Sequence, residues 1–106
     1  MAYVRRLIWD PWNIGHILRH EVSPEEVEEV CHGDHVIRET YRGRLILIGP
    51  TVAGRILAVV LAPEGGGAYY PVTARPASRK ERRRYVEERV VKQNDTQSDR
   101  EKETHP

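Results

Sequence analysis

Between residues 35 and 76 the chain alternates runs of six to eight β-prone residues with short Gly- or Pro-rich connections, and no other feature limits the fold so tightly. The runs are HVIRETYR, RLILIG, RILAVVLA and AYYPVTAR, separated by Gly43, by the turn from Pro50 to Gly54, and by the turn from Pro63 to Gly67. Connections this short join antiparallel neighbours, because a parallel return needs a dozen residues or more. Four strands in a meander are therefore predicted. The second and third runs are almost continuously apolar, which suits central strands covered on both faces, whereas the first is polar enough for an edge. Pro71 removes a ladder donor, so the last run needs a bulge or an exposed N–H side there.

Upstream of this segment the apolar spacing is helical. An opening strand over about Val4 to Ile8 is followed by Asp10, a good N-cap, and by Pro11 at the first helical position, where its missing N–H costs nothing. This first helix is predicted to reach about His20. On a 100° wheel Ile14, Ile17 and Leu18 share one face, and Trp12, His16, Arg19 and His20 gather on the other. Ser23-Pro24-Glu25-Glu26 starts a second helix with a capping box; Val27, Val30 and Cys31 form its core stripe, and Gly33 is expected to end it in a left-handed cap. Downstream of the strands, Ser78 to Glu81 is another capping box. It opens a basic helix running to about Val91, which Tyr85, Val86 and Val90 are able to dock. From Gln93 the string QNDTQSDREKETHP has no apolar periodicity and reads as a disordered tail. The expectation is one α+β domain over residues 1–92, with helices on one face of the sheet, and a tail over 93–106.

A chain of 106 residues has room for a single core. With 39% hydrophobic and 31% charged residues it has the balance of a folded protein. No apolar run approaches the roughly 20 residues of a membrane span, and the start MAYVRRLIWDP lacks a secretory pattern, so a cytoplasmic location without membrane association is expected. Cys31 is the single cysteine; it excludes a disulfide framework within the chain, and its apolar position reads as a small buried hydrophobe rather than a reactive thiol. The net charge of +1 hides an asymmetry: Glu21 to Glu29 holds five acids and no base, and Arg79 to Arg84 holds five bases and one acid. Such a chain can offer a basic surface to an anion, or simply carry two solvated helix faces.

Two groups of residues can carry chemistry. His16 and His20 are four apart and thus neighbours on one helical face, suited to proton transfer near neutral pH. They can also begin a metal site, with His32 or Asp34 as further ligands, but there is no HExxH pattern or cysteine cluster to support it, and no metal or cofactor is expected. The second group is Arg38, Arg42, Arg44, Arg55, Arg75 and the basic run from Arg79, whose guanidinium forks match phosphate. Trp12, Tyr41, Tyr69, Tyr70 and Tyr85 are interleaved with them and can stack on unpaired bases. Gly65-Gly66-Gly67 lacks the context of a P-loop or dinucleotide fingerprint and reads as a hairpin tip.

Taken in order, Trp9-Asp10-Pro11, Arg19-His20-Glu21-Val22, Ser23 to Glu26, Leu47-Ile48-Gly49, Gly54 to Leu61, Thr73-Ala74-Arg75 and Ser78 to Tyr85 resemble the BrnT family of bacterial toxins. The resemblance runs from Leu7 to Glu87. It implies a RelE-like fold and a metal-independent endoribonuclease of a type II toxin-antitoxin system that inhibits translation. Its implied partners are RNA and a ribbon-helix-helix, BrnA-like antitoxin, and it leaves room for a homo-oligomer. Carried onto this sequence, it casts His16 or His20 as the catalytic proton-transfer group, Arg75, Arg79 and Arg44 as phosphate clamps, and Tyr85 and Trp12 as stacking or orienting residues, with Arg19 and Arg83 as further RNA or phosphate contacts. The chain departs from the family in the first helix: Trp12-Asn13 stands where a Lys is usual, His16 where an Asn is usual, and Glu21 in place of a Gly. The other reading of the same scaffold is a non-catalytic nucleic-acid-binding or protein-interaction module.

Overall fold

The computed structural model describes residues 4–89. The elements are β1 (Arg6–Leu7), α1 (Pro11–Leu18), α2 (Pro24–His32), β2 (Val36–Glu39), β3 (Leu45–Pro50), β4 (Ile56–Gly65) and β5 (Ala68–Pro76), followed by a helix α3 over 79–89. The expected end of α3 near Val91, its docking residue Val90 and the tail from Gln93 lie outside the described residues. The five strands form one sheet in the order β1-β5-β4-β3-β2. The predicted meander is present in β2 to β5, all antiparallel, with β3 and β4 central and β2 at an edge.

The opening strand is shorter than predicted and pairs in parallel, Arg6 with Ala68 and Leu7 with Tyr69. β2 also stops early, at Glu39. Arg42 and Gly43 take left-handed backbone, with φ of 65° and 73°, and turn the chain before a strand can continue. Pro71 is accommodated as expected. Thr73 faces Val60 and Pro71 faces Leu61, so Val72 is the extra residue of a bulge.

Strand alternation divides the apolar residues between two faces. Leu45, Leu47, Leu57, Val59 and Leu61 meet Ile17 of α1 and Val27, Val30 and Cys31 of α2 in the larger core. Ile46, Ile48, Ile56 and Ala58 point the other way and meet Ala77 and Tyr85. The expectation of helices on one face is thus corrected: α1 and α2 cover the front, and α3 covers part of the back. The reason lies in β3 and β4, whose apolar residues on both sides require cover on both sides. Tyr85 docks α3, being 4% exposed, whereas Val86, expected to share that role, is 53% exposed.

All three helix starts are capped by reciprocal bonds. Ser23 pairs with Glu26 and Ser78 with Glu81, as predicted; Asp10 pairs with Asn13, a third-position residue that is neither Glu nor Gln. Gly33 does not take the expected left-handed cap but lies extended, with φ of −108°. A Cβ there would come 2.6 Å from the Glu29 carbonyl oxygen, so close approach to the end of α2 is what favours glycine. The Cys31 thiol is buried, and burial pushes its pKa up to about 12, with the Glu28 charge adding to the shift. It packs as the small hydrophobe that was expected.

Glu81 does more than cap α3. Its carboxylate accepts two hydrogen bonds from the Arg75 guanidinium, at 2.6 and 2.9 Å. The Arg75 bonds hold its pKa down, from 4.5 to about 2. A depressed carboxylate contributes stability that is full above its unfolded pKa and is lost as pH falls through its folded one. Glu81→Gln can keep the cap but loses the pair, and because Arg75 is half exposed the loss at neutral pH is up to about 1 kcal/mol. Denaturation at a series of pH values is expected to show the wild-type advantage shrinking between pH 4.5 and 2. A gap that stays constant over that window would show that the ion pair does not stabilise the fold.

Candidate active site on the first helix

The local sequence fixes α1 at both ends. The Asp10 carboxylate accepts from the Asn13 backbone N–H at 2.8 Å and from the Tyr70 hydroxyl at 2.9 Å. The Asn13 bond, and after it the Tyr70 bond, hold the Asp10 carboxyl below its ordinary range. Asn13 is fully buried. Its Oδ1 accepts from the Asp10 backbone N–H, and its Nδ2 donates to the Ile8 carbonyl, each at 2.9 Å. Ile17 plugs the helix into the front core. Helical residues end at Leu18, two earlier than predicted, and the Arg19 and His20 N–H groups close the last turn onto the His16 and Ile17 carbonyls. Glu21 then takes a left-handed φ of 61°. A Gly would be at ease in this conformation. The Arg55 guanidinium holds the Glu21 carbonyl at 2.6 Å.

With Asn13 and Ile17 turned inward, the outer face is left to the residues that the wheel had grouped. The Trp12 and His16 rings stack with centroids 5.1 Å apart and planes 4° from parallel. His20 meets His16 edge-on at 5.5 Å. Trp12 is 61% exposed, and Arg19 and His20 are exposed as well. Pro11, Trp12, Gly15, His16 and Arg19 line an open depression of about 250 Å³. Gly15 leaves it open, since nothing lies within 4 Å of where its Cβ would be. The arrangement offers an aromatic face, two imidazoles and a guanidinium on one surface, the components needed to hold an unpaired base and move protons at an adjacent phosphate.

The other predicted site residues are elsewhere. Arg75 faces Ala58 in the register and so points to the back of the sheet, where Glu81 holds it; the structure does not bring it to His16 and His20. Arg79 and Arg83 are exposed one turn apart on α3, and Arg44 is exposed at the start of β3. Tyr85 is corrected from a stacking residue to a core residue. Its ring is buried, its hydroxyl donates to Asp34 at 2.8 Å, and burial followed by the Asp34 bond raises its pKa. The residues considered as extra metal ligands are engaged: His32 lies 3.0 Å from Glu28, and Asp34 receives Tyr85 and pairs with Arg89. Among the described residues no group of three or more His, Cys, Asp or Glu side chains could hold a metal ion. Nor is any of their helices long and apolar enough to cross a membrane.

No protein-family model matches the sequence. Comparison with curated proteins likewise gives no match. Among solved structures, the chain is similar to the crystal structure of the Brucella abortus ribonuclease toxin BrnT, with a TM-score of 0.56 and 27% identity. The match covers 70% of this chain and 97% of that one. The fold is BrnT-like.

If Asn13 mounts the site as its bonds indicate, Asn13→Ala strands the Ile8 carbonyl and the Asp10 N–H and costs about 2 kcal/mol. Gly15→Ala, five residues beyond the Asp10 cap and in open space, is expected to stabilise the helix by roughly 0.5 kcal/mol. Chemical denaturation measures both. Equal effects of the two substitutions would remove Asn13 from its anchoring role.

Proposed function

We propose that this protein is a BrnT-like toxin that cleaves RNA without a metal, acts in the cytoplasm, and is held in check by a ribbon-helix-helix antitoxin of the BrnA kind. The observation that carries the reading is the likeness to a ribonuclease toxin over 97% of that toxin's chain at 27% identity. The aligned side chains on α1 support it. One imidazole, His16 or His20, takes the proton of the ribose 2′-hydroxyl, and that oxygen forms a bond to phosphorus. The bond from phosphorus to the 5′-oxygen breaks, and the other imidazole protonates the leaving oxygen, so the products carry a 2′,3′-cyclic phosphate and a 5′-hydroxyl. Arg19 meets the charge that develops on the phosphate, and Trp12 stacks on a neighbouring base. Arg44, Arg79 and Arg83 serve as outer phosphate contacts. Arg75 is left out of the chemistry, because its fork is occupied by Glu81.

That same occupancy favours a second reading, a non-catalytic nucleic-acid-binding or interaction module on this scaffold. Controlled expression in a bacterium, with purified protein incubated with RNA in the presence of a chelator, separates the two. Wild type is expected to arrest growth and to leave cyclic phosphate ends. His16→Ala and His20→Ala are each expected to slow cleavage by roughly 10²- to 10⁴-fold. A wild type that is harmless and leaves RNA intact at high concentration removes the nuclease and leaves the module.

A further inference from the structure

Four arginines on or against the sheet are committed to structure. Arg38 pairs with Glu88, Arg55 with Glu26, Arg75 with Glu81 and Arg89 with Asp34. At the turn between β2 and β3 the pattern is different. Arg42 and Arg44 are exposed and make no ion pair among the described residues, and between them and Thr40 stands Tyr41, 80% exposed. The Arg42 guanidinium carbon lies 5.8 Å above the centre of the Tyr41 ring. This places a flat cation and an aromatic face together at the tip of a hairpin, in water, where neither buries anything for the fold. Arg42 does so from a left-handed backbone, with φ of 65° and ψ of 24°, that a glycine would occupy without strain.

The position of the tip matters as much as its composition. Gly43 lies against Pro63, 3.3 Å from its Cγ to the place of a Cβ. Pro63 faces Tyr69 across the ladder, and the next residue, Tyr70, bonds Asp10 at the start of α1. The tip and the Trp12 end of α1 therefore share one end of the sheet, with two strand spacings, roughly 10 Å, between β3 and β5. Arg5, which packs against Gly67, adds positive charge at this end, where Glu39, Glu64 and Asp10 supply negative charge.

We propose that Tyr41 and Arg42 form a second stacking site for single-stranded RNA, with Arg44 holding a phosphate beside it, so that one strand runs across the end of the sheet from the tip to α1. Stacking accepts any base and needs it unpaired, which selects single strands over duplex. The proposal rests on the reading of the protein as RNA-directed but not on cleavage.

The probe is a fluorescein-labelled 2′-O-methyl oligonucleotide about ten nucleotides long, which has no attacking hydroxyl and reports binding alone by anisotropy. Tyr41→Ala is expected to weaken binding about tenfold, and Tyr41→Phe to restore it. Arg44→Gln is expected to lower the slope of log affinity against log salt by roughly 0.7. Arg42→Gly should raise the melting temperature while weakening binding, which sets it apart from a variant that merely unfolds the turn. The proposal is overturned if Tyr41→Ala and Arg42→Gly bind as wild type does, or if the same sequence as a duplex binds equally well. It is also overturned if polyglutamate binds as tightly with the same dependence on Tyr41, which makes the tip a protein-docking surface. Cleavage that persists while Tyr41 proves neutral sinks this proposal and keeps the nuclease; binding through Tyr41 without any cleavage does the reverse.

Discussion

Strands β3 and β4 present apolar side chains on both faces, so the sheet they centre is unstable in water until both faces are covered. From that requirement follow the positions of the three helices. α1 and α2 close the larger front core through Ile17, Val27 and Val30. The chain leaves β5 at Pro76, donates the Ala77 N–H to the Ile56 carbonyl, and turns α3 onto the back, where Tyr85 fills the smaller core. A helix as basic as α3 has little apolar surface with which to dock, and polar contacts complete the attachment: Tyr85 to Asp34, Arg38 to Glu88 and Arg75 to Glu81. The arginines that looked like free phosphate ligands are in several cases the fastenings of this helix.

What the sequence could and could not convey follows from the range of the forces involved. Strand runs, Gly/Pro turns, the Ser capping boxes and the Pro71 bulge are local, and each was legible because the residues that cause it are adjacent in the chain. The outer face of α1 was legible for the same reason, since helical spacing alone brings Trp12, His16, Arg19 and His20 together. Pairings between distant residues were not. Nothing near Arg75 announces Glu81 as its partner except a capping box that already accounts for the Glu, and nothing near Tyr85 announces Asp34. The burial of Asn13 was not legible either, because a buried asparagine differs from an exposed one only in what surrounds it.

The family resemblance and the structure meet on α1 in an instructive way. The likeness to the Brucella abortus toxin covers nearly all of that protein, yet the helix that mounts the candidate site is where this chain departs from the family pattern. The departures are not neutral replacements. His16 stacks on Trp12 and meets His20 edge-on, so two imidazoles stand side by side on the outer face of α1. Glu21 in place of a Gly keeps the left-handed turn that closes the helix.

Among the described residues, Glu21 and Arg42 are the non-glycine residues with left-handed backbone. Each is strained by roughly 1–2 kcal/mol relative to a residue in an ordinary helical or extended conformation. At Glu21 the fold supplies compensation: Val22 behind it is fully buried, and Arg55 holds its carbonyl. At Arg42 the turn is closed by the Thr40 N–H and hydroxyl, which donate to the Arg44 carbonyl at 2.7 and 3.2 Å, and Arg42 shares the left-handed conformation with Gly43. Arg42 presents a planar cation over an exposed tyrosine, at the end of the sheet from which α1 begins.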